Sequence, residues 1–478
     1  MTELERKKLV LCVIDGLPAG ALEQALERAR LPALRFLAEH GFYAEGTSVF
    51  PSVTPVCLSS IATGAWPDVH GIPHLVWYDR EEERIVEYGS SLAAAIAAGV
   101  RGTVRDSVLN MSGSHLASDA TTVFEALEDA GLVTGAINFT CFRGRHRHVI
   151  KLPERLRRNR WYESVSGPRR FFFFNLYESD ATGAPLAIRS RTDGSVDRYA
   201  ASVGRWLVTR DGFDFLVHYL PDFDYAAHLA GPDDAHAALE RADASLVELM
   251  EAAGGFEKFL DRYAIVVCSD HGQTHVDEVV NLAGRLADLK PLVPRRSRPG
   301  ESQIVVCASN RAAMLYLLPG ARLTARKLAT RLDGEPVADV VLFREDAWAI
   351  ARRDGEELRF APAADGGFRT EGDAALLDAQ RYPNGLERAW RSLACARSGD
   401  VLVSAAPGYE FTDLGGRHHR GGGSHGSLLA GDSRVPMLAA GFEEGSPWTR
   451  APRIVDLKGI ALGHFGLAAA PAEAAGVA

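Results

Sequence analysis

Two unbroken apolar runs, Leu9-Val10-Leu11-Cys12-Val13-Ile14 and Tyr263-Ala264-Ile265-Val266-Val267-Cys268, constrain this chain more than any other feature. A strand with one wet face alternates apolar and polar residues, whereas a strand covered on both faces, as in a parallel sheet between helices, has no reason to. The first run ends in Asp15-Gly16 and the second in Ser269-Asp270-His271-Gly272. Between them the periodicity turns helical. From Ala21 to Glu39, Leu22 and Leu26, then Leu34 and Leu37, approximate helical spacing. Pro32 divides the segment into two helices, and Gly41 stands where a C-terminal cap belongs. Thr122 to Ala130, stopped by Gly131 and followed by Val133-Thr134-Gly135-Ala136-Ile137, repeats the order, and Asp234 to Ala253 leads into the second run. Alternating helices and buried strands predict an α/β fold, a doubly wound and mostly parallel sheet, whose sites lie at the carboxyl ends of its strands. Asp15, Asp224 and Asp270 each fall at or just beyond such an end.

Two stretches break this rhythm, about 79–191 and 279–400, and are expected to be inserted regions, the second a cap or lid on a core made of 1–278 and 401–478. The first carries Arg143, Arg145, Arg147, Lys151, Arg155, Arg157, Arg158 and Arg160, then Phe171 to Phe174. A basic run of this kind is read as a solvated face before a phosphate contact. The Ala-rich end, Ala468 to Ala478, has too little apolar bulk to pack. A formal net charge of -9 gives no general attraction to nucleic acid polymers or anionic membranes, so an anionic ligand must be met locally. The apolar run at Leu9 is too short for a secretory core or a membrane span, and the six cysteines include no CxxC pair. Reduced, buried thiols and a cytoplasmic setting are the expectation.

The chemistry-bearing residues are ambiguous one at a time. Asp15-Gly16 after a strand serves as a turn more often than as a ligand. Asp270-His271 offers adjacent oxygen and nitrogen donors suited to zinc. Asp224 and His228, four residues apart, share one face of a helical turn, as ligands or as a capping pair. His425 is the large group in Gly421-Gly422-Gly423-Ser424-His425-Gly426, a flexible loop or a close-approach site. Three carboxylates and three imidazoles together suffice for two metal sites with room left for substrate. Thr54, in Phe50-Pro51-Ser52-Val53-Thr54-Pro55 ahead of a helical segment Val56 to Thr63, is either a plain N-cap or a hydroxyl activated by the helix dipole and a metal.

Read together, Asp15-Gly16, Phe50-Pro51-Ser52-Val53-Thr54-Pro55, Thr63-Gly64, His70-Gly71-Ile72, Asp224 with His228 and Gly231-Pro232, Asp270-His271-Gly272 and Ser424-His425-Gly426 resemble the nucleotide pyrophosphatase/phosphodiesterase family of the alkaline phosphatase superfamily. The resemblance runs from about Lys7 to Gly272 and from about Ser404 to Phe442. It implies an alkaline phosphatase-like core with two zinc ions, one on Asp224, His228 and His425, the other on Asp15, Asp270 and His271, with Thr54 facing both. It implies Asp224 over Asp222, because Asp224 has the family spacing to His228. It further implies hydrolysis of a small phosphate ester or pyrophosphate through a threonyl-phosphate. Manganese or iron suits the same donors.

Two departures bear on substrate. Where the family places an Asn that contacts phosphate, this chain has Leu75, preceded by His74, and Pro55-Val56-Cys57 replaces the usual Phe-Pro-Asn. His74, Leu75 and Cys57 are thus candidate substrate contacts, as is Trp77, whose flat face suits either stacking or core packing. Diester, pyrophosphate, monoester and phosphonate substrates stay open. Sulfatase activity is excluded, since Cys57-Leu58-Ser59-Ser60-Ile61 lacks the proline and arginine of the sulfatase motif. A phosphomutase or a catalytically silent metal-binding protein are the remaining alternatives.

Overall fold

Neither apolar run alternates because each strand is covered twice. In the computed structural model the first run forms the strand Lys8–Ile14. Its Leu9, Leu11 and Val13 enter one core, and its Val10, Cys12 and Ile14 enter a second on the opposite face. Tyr263–Cys268 divides in the same way, Ala264, Val266 and Cys268 against Tyr263, Ile265 and Val267. Each large apolar side chain so buried contributes about 1.5–3 kcal/mol. The structure describes residues 6–28, 30–149, 164–173, 177–179, 195–297, 299–443, 445–448 and 450–467. Lys151, Arg155, Arg157, Arg158, Arg160, Phe174 and the Ala468 to Ala478 tail lie outside the described residues.

The central sheet has eight strands in the order Gly41–Thr47, Arg434–Ala440, Tyr263–Cys268, Lys8–Ile14, Phe215–Leu220, Thr134–Ile137, Arg170–Phe173, Tyr177–Ser179. The neighbours from Tyr263–Cys268 to Arg170–Phe173 run parallel, and the outer pairings are antiparallel. Thr134–Ile137 and Arg170–Phe173 come from within 79–191, so part of that stretch is built into the main sheet. One face is covered by Ala19–Arg28, Pro32–Glu39, Val196–Thr209 and His236–Ala252, the other by Thr54–Thr63, Val123–Asp129 and Leu457–His464. Pro32 opens its helix at the first position, where its missing N–H is no loss. This is the doubly wound α/β arrangement that the strand and helix order predicts.

A second, seven-stranded antiparallel sheet takes six strands from 279–400, and the seventh, Val401–Ala405, pairs between Ala312–Leu317 and Ala338–Glu345. Its Val305, Cys307, Met314 and Tyr316 share a core with Phe50 and Val53, so this sheet leans on the loop that carries Thr54. A polar strut fixes the contact. The buried guanidinium of Arg311 meets Asp432 at 2.6 Å, and the Arg311 backbone N–H donates to the His425 carbonyl at 2.8 Å. All six cysteines are free and buried. Among the described residues no helix is long and apolar enough to cross a membrane.

Candidate metal centre

Every strand that ends at the site delivers a ligand-type side chain there. Asp15 follows Lys8–Ile14 directly, its N–H donating to the Leu220 carbonyl at 3.0 Å. Gly16 must be glycine for two reasons. Its φ is +71, and a Cβ would stand 2.7 Å from Asp224 Oδ1. The Asp-Gly turn and the ligand position are therefore one feature. Asp270 and His271 follow Tyr263–Cys268, and Asp270 Oδ1 accepts from the backbone N–H of Gly16 at 3.2 Å and of His271 at 3.0 Å. Asp224 and His228 lie one turn apart on the helix Asp222–Ala230, 3.4 Å between Nε2 and Oδ2. Asp222 is turned away, accepting from Ser195 Oγ and from the Val196 N–H at 3.1 Å. The glycines before His425 let that loop approach the same helix, since a Cβ on Gly423 would meet the Ala227 carbonyl at 2.8 Å.

Residues from five separate segments thus converge. Asp15, Asp270 and His271 offer ligand atoms within 4.8 Å of one another, and so do Asp224, His271 and His425. His271 belongs to both groups, its ring stacked 3.7 Å from that of His425. His228 joins through Asp224 and lies 5.2 Å from the His425 ring. Thr54 is the first residue of the helix Thr54–Thr63, with Oγ1 at 3.2 Å from His271 Nε2, between the two groups. Asp15, Asp224, Asp270, His271 and His425 are buried, while Thr54 and His228 are partly exposed.

The three imidazoles are oriented alike. Nδ1 of His228 donates to the Gly423 carbonyl at 2.8 Å, Nδ1 of His271 to the Gly272 carbonyl at 3.1 Å, and Nδ1 of His425 to the Ser52 carbonyl at 2.8 Å. Each Nε2 is thereby left without a proton and aimed at the cluster, the second-sphere arrangement that metal-binding histidines use. Electrostatics point the same way. Burial, then the charges of Asp270 and Asp224, push the Asp15 carboxyl well above the usual carboxylate range, and burial likewise raises Asp270. Burial, then His271 and His228, holds His425 well below the usual imidazole range. Asp15 Oδ1 and Asp270 Oδ2 are buried without a hydrogen-bond partner among the described residues. Buried anionic oxygens of this kind fit a cation.

Of the four candidate substrate contacts, His74, Trp77 and Cys57 are buried and Leu75 is partly buried. His74 is fully buried, its Nδ1 engaged with the backbone of Val76. Trp77 is fully buried with its ring edge-on to His115 at 5.3 Å. Leu75 packs on the main core. Cys57 is buried one helical turn beneath Thr54 with Sγ 3.3 Å from Ser48 Oγ. Cys57 and Leu75 therefore pack with the core, while His74 Nε2 and Trp77 Nε1 are buried without a hydrogen-bond partner among the described residues. Arg143 and Arg145 of the basic run are likewise structural, pairing with Glu125 and with Asp129.

Several residues that sequence reasoning passed over complete the site. Tyr219 donates to Asp15 Oδ2, and Gln273 donates to Asp224 Oδ1. Asn310 Nδ2 donates to His425 Nε2 at 2.8 Å. His419 stacks on His228 at 3.9 Å and is held by the buried Glu410 at 2.6 Å. The tyrosine, the amides and the Glu-His pair follow no motif, and their sequence neighbours give no hint of partners far away in the chain.

A mostly parallel sheet thus carries two Asp/His groups at its strand ends and a hydroxyl at a facing helix N-terminus. Residues 9–428 match the family model of type I phosphodiesterase / nucleotide pyrophosphatase, and the chain belongs to that family, whose members are metal-dependent. Solved structures agree in fold. Phosphonoacetate hydrolase from Sinorhizobium meliloti, in complex with phosphonoformate, is 19% identical with a TM-score of 0.59, over 96% of each chain. Murine ectonucleotide pyrophosphatase / phosphodiesterase 5, in an inactive form in complex with AMP, is 14% identical with a TM-score of 0.58, over 97% of this chain and 96% of that one. The human form of the latter is 14% identical with a TM-score of 0.57, with the same coverage.

Proposed function

We propose that this enzyme cleaves a phosphodiester or pyrophosphate bond in a small molecule through a covalent intermediate on Thr54. The observation that carries this is that Thr54 Oγ1 lies 3.2 Å from Nε2 of His271, the residue common to the convergent groups Asp15, Asp270, His271 and Asp224, His271, His425. Asp15, Asp270 and His271 would hold one zinc ion and Asp224, His228 and His425 the other. Bound there, divalent cations would neutralise the buried carboxylates, favour the ionised form of the Thr54 hydroxyl and polarise the phosphoryl group.

The chain's own residues then account for the rest. Thr54 sits at the positive end of its helix, which favours negative charge on Oγ1 and on a phosphoryl oxygen beside it. Attack by Oγ1, whose proton passes to solvent, forms the threonyl P–O bond while the bond to the leaving oxygen breaks, and the leaving group takes the electron pair and is protonated from solvent. Water then attacks the threonyl-phosphate from the vacated side, restoring the Thr54 hydroxyl and releasing the phosphorylated product. Backbone carbonyls of Gly423, Gly272 and Ser52 keep the three Nδ1 protons in place throughout.

A phosphonate is a second substrate class, favoured by the likeness to an enzyme solved with phosphonoformate and with phosphonoacetate. The purified protein is expected to release p-nitrophenolate from bis-p-nitrophenyl phosphate, to lose that activity to a chelator and to regain it with zinc. A protein that turns over neither this diester, nor p-nitrophenyl phosphate, nor phosphonoacetate after zinc loading is not the hydrolase described.

A further inference from the structure

A cavity of about 590 Å³ opens beside the ligand cluster, between the helix Leu92–Ala98 and the segment that follows Gly408–Phe411. Two of its lining residues touch metal-ligand candidates directly. Asn310 donates its amide N–H to His425 Nε2 at 2.8 Å, and the His419 ring stacks on that of His228 at 3.9 Å. One residue thus separates the cavity from His425 and one from His228.

Both contacts are held in position. Asn310 Oδ1 accepts from Ser309 Oγ at 3.2 Å, which leaves the amide N–H groups toward the cluster. Glu410, buried, accepts from the His419 N–H and Nδ1–H, each at 2.6 Å, and from Ser424 Oγ at 2.8 Å, so one carboxylate fixes both the stacked ring and the loop next to His425. With Nδ1 committed to Glu410, the His419 ring presents its other edge to the cavity. The opposite wall is apolar and open to water, where Leu92 is 75% and Ile96 56% exposed. Exposed apolar residues of this size beside a polar floor are the pattern of a ligand site. The charged residues at the rim do not sum to a positive patch, because Asp413 and Glu410 stand against Arg417. A second anionic group is thus not what the cavity selects.

We infer that this cavity is the subsite for the organic group attached to phosphorus, taking an uncharged, amphiphilic substituent whose hydrogen-bonding end meets His419 and Asn310 and whose apolar body lies on Leu92, Ala93 and Ile96. The inference rests on the two-metal reading above and deepens it. A volume near 590 Å³ lies within the range of pockets that enclose drug-sized ligands. Inorganic phosphate alone would leave most of it filled with water.

The test compares calorimetric affinities of the zinc-loaded protein for phenylphosphonate and for inorganic phosphate. The parent is expected to prefer phenylphosphonate. Ile96→Trp, at an exposed position that tolerates a larger ring, is expected to lower the phenylphosphonate-to-phosphate affinity ratio at least tenfold, and His419→Ala at least fivefold. A ratio unchanged within twofold in both variants overturns the subsite while leaving the hydrolase reading intact. Loss of turnover with the ratio behaving as expected overturns the hydrolase reading alone, and a parent that binds neither probe overturns both.

Discussion

Replacing Thr54 with alanine is expected to lower kcat by about 10⁴ or more while both ions stay bound. The asymmetry is the diagnostic part. Thr54 Oγ1 lies 3.2 Å from His271 Nε2, yet Asp15, Asp270 and His271 converge without it, as do Asp224, His271 and His425, with His228 at 3.4 Å from Asp224. Removing one hydroxyl leaves six donors in place and takes away the atom that must form the P–O bond. The variant should still fold, because Val53 rather than Thr54 occupies the N-cap and the Thr54 side chain makes no capping bond. Steady-state kinetics with elemental analysis on the same sample checks this. Near-parental turnover with normal metal content would remove Thr54 from the mechanism.

Stripping the ions should cost the fold about 4 kcal/mol per site relative to protein held at a thousandfold excess of free zinc over the dissociation constant of that site. The buried carboxylates supply the reason and a sign. Burial raises both Asp15 and Asp270 above their ordinary values, and the charges of Asp270 and Asp224 add to the rise at Asp15. A group shifted upward stabilises the fold fully below its unfolded pKa, and that contribution is lost as pH rises through the raised value. At pH 8, well above the ordinary carboxylate range, the metal-free carboxylates are therefore a net liability. Asp15→Asn, which cannot ionise, is expected to be more stable than the parent by about 1–3 kcal/mol in chelator at pH 8, and less stable than the parent with zinc present. Thermal unfolding of the two proteins under both conditions reads the reversal. A chelated Asp15→Asn that melts below the chelated parent contradicts this account of the cluster.

How far the sequence could be read depends on whether a signal is local. Leu9 to Ile14 and Tyr263 to Cys268 announced strands covered on both faces because burial on two sides removes alternation, and that is visible in six consecutive letters. Asp15-Gly16 and Gly421 to Gly426 were legible for a related reason: the ligand and the glycine that makes room for it are adjacent in the chain, so Gly16 beside Asp224 and Gly423 against Ala227 leave a mark in the sequence. Family likeness then supplied the grouping that spacing alone left open.

What stayed hidden is held together across long separations. Arg311, in a turn, and Asp432, in the short helix Ala430–Ser433, are 121 residues apart, yet their 2.6 Å contact docks the second sheet onto the His425 loop. Glu410 and His419 look like ordinary polar loop residues until folding stacks the ring on His228. Cys57, His74 and Leu75 stand where the family motif is altered and Trp77 offers a flat face, and the structure packs all four inward. Val401–Ala405 shows the same limit for boundaries, since a strand's partners, not its composition, decide which sheet it enters.

The central claim is spatial, and anomalous diffraction from crystals grown with zinc tests it most directly. Two ions per chain are expected, one contacting Asp15, Asp270 and His271, the other contacting Asp224, His228 and His425, with Thr54 Oγ1 facing both. A single ion, or ions bound away from these six side chains, would contradict the account.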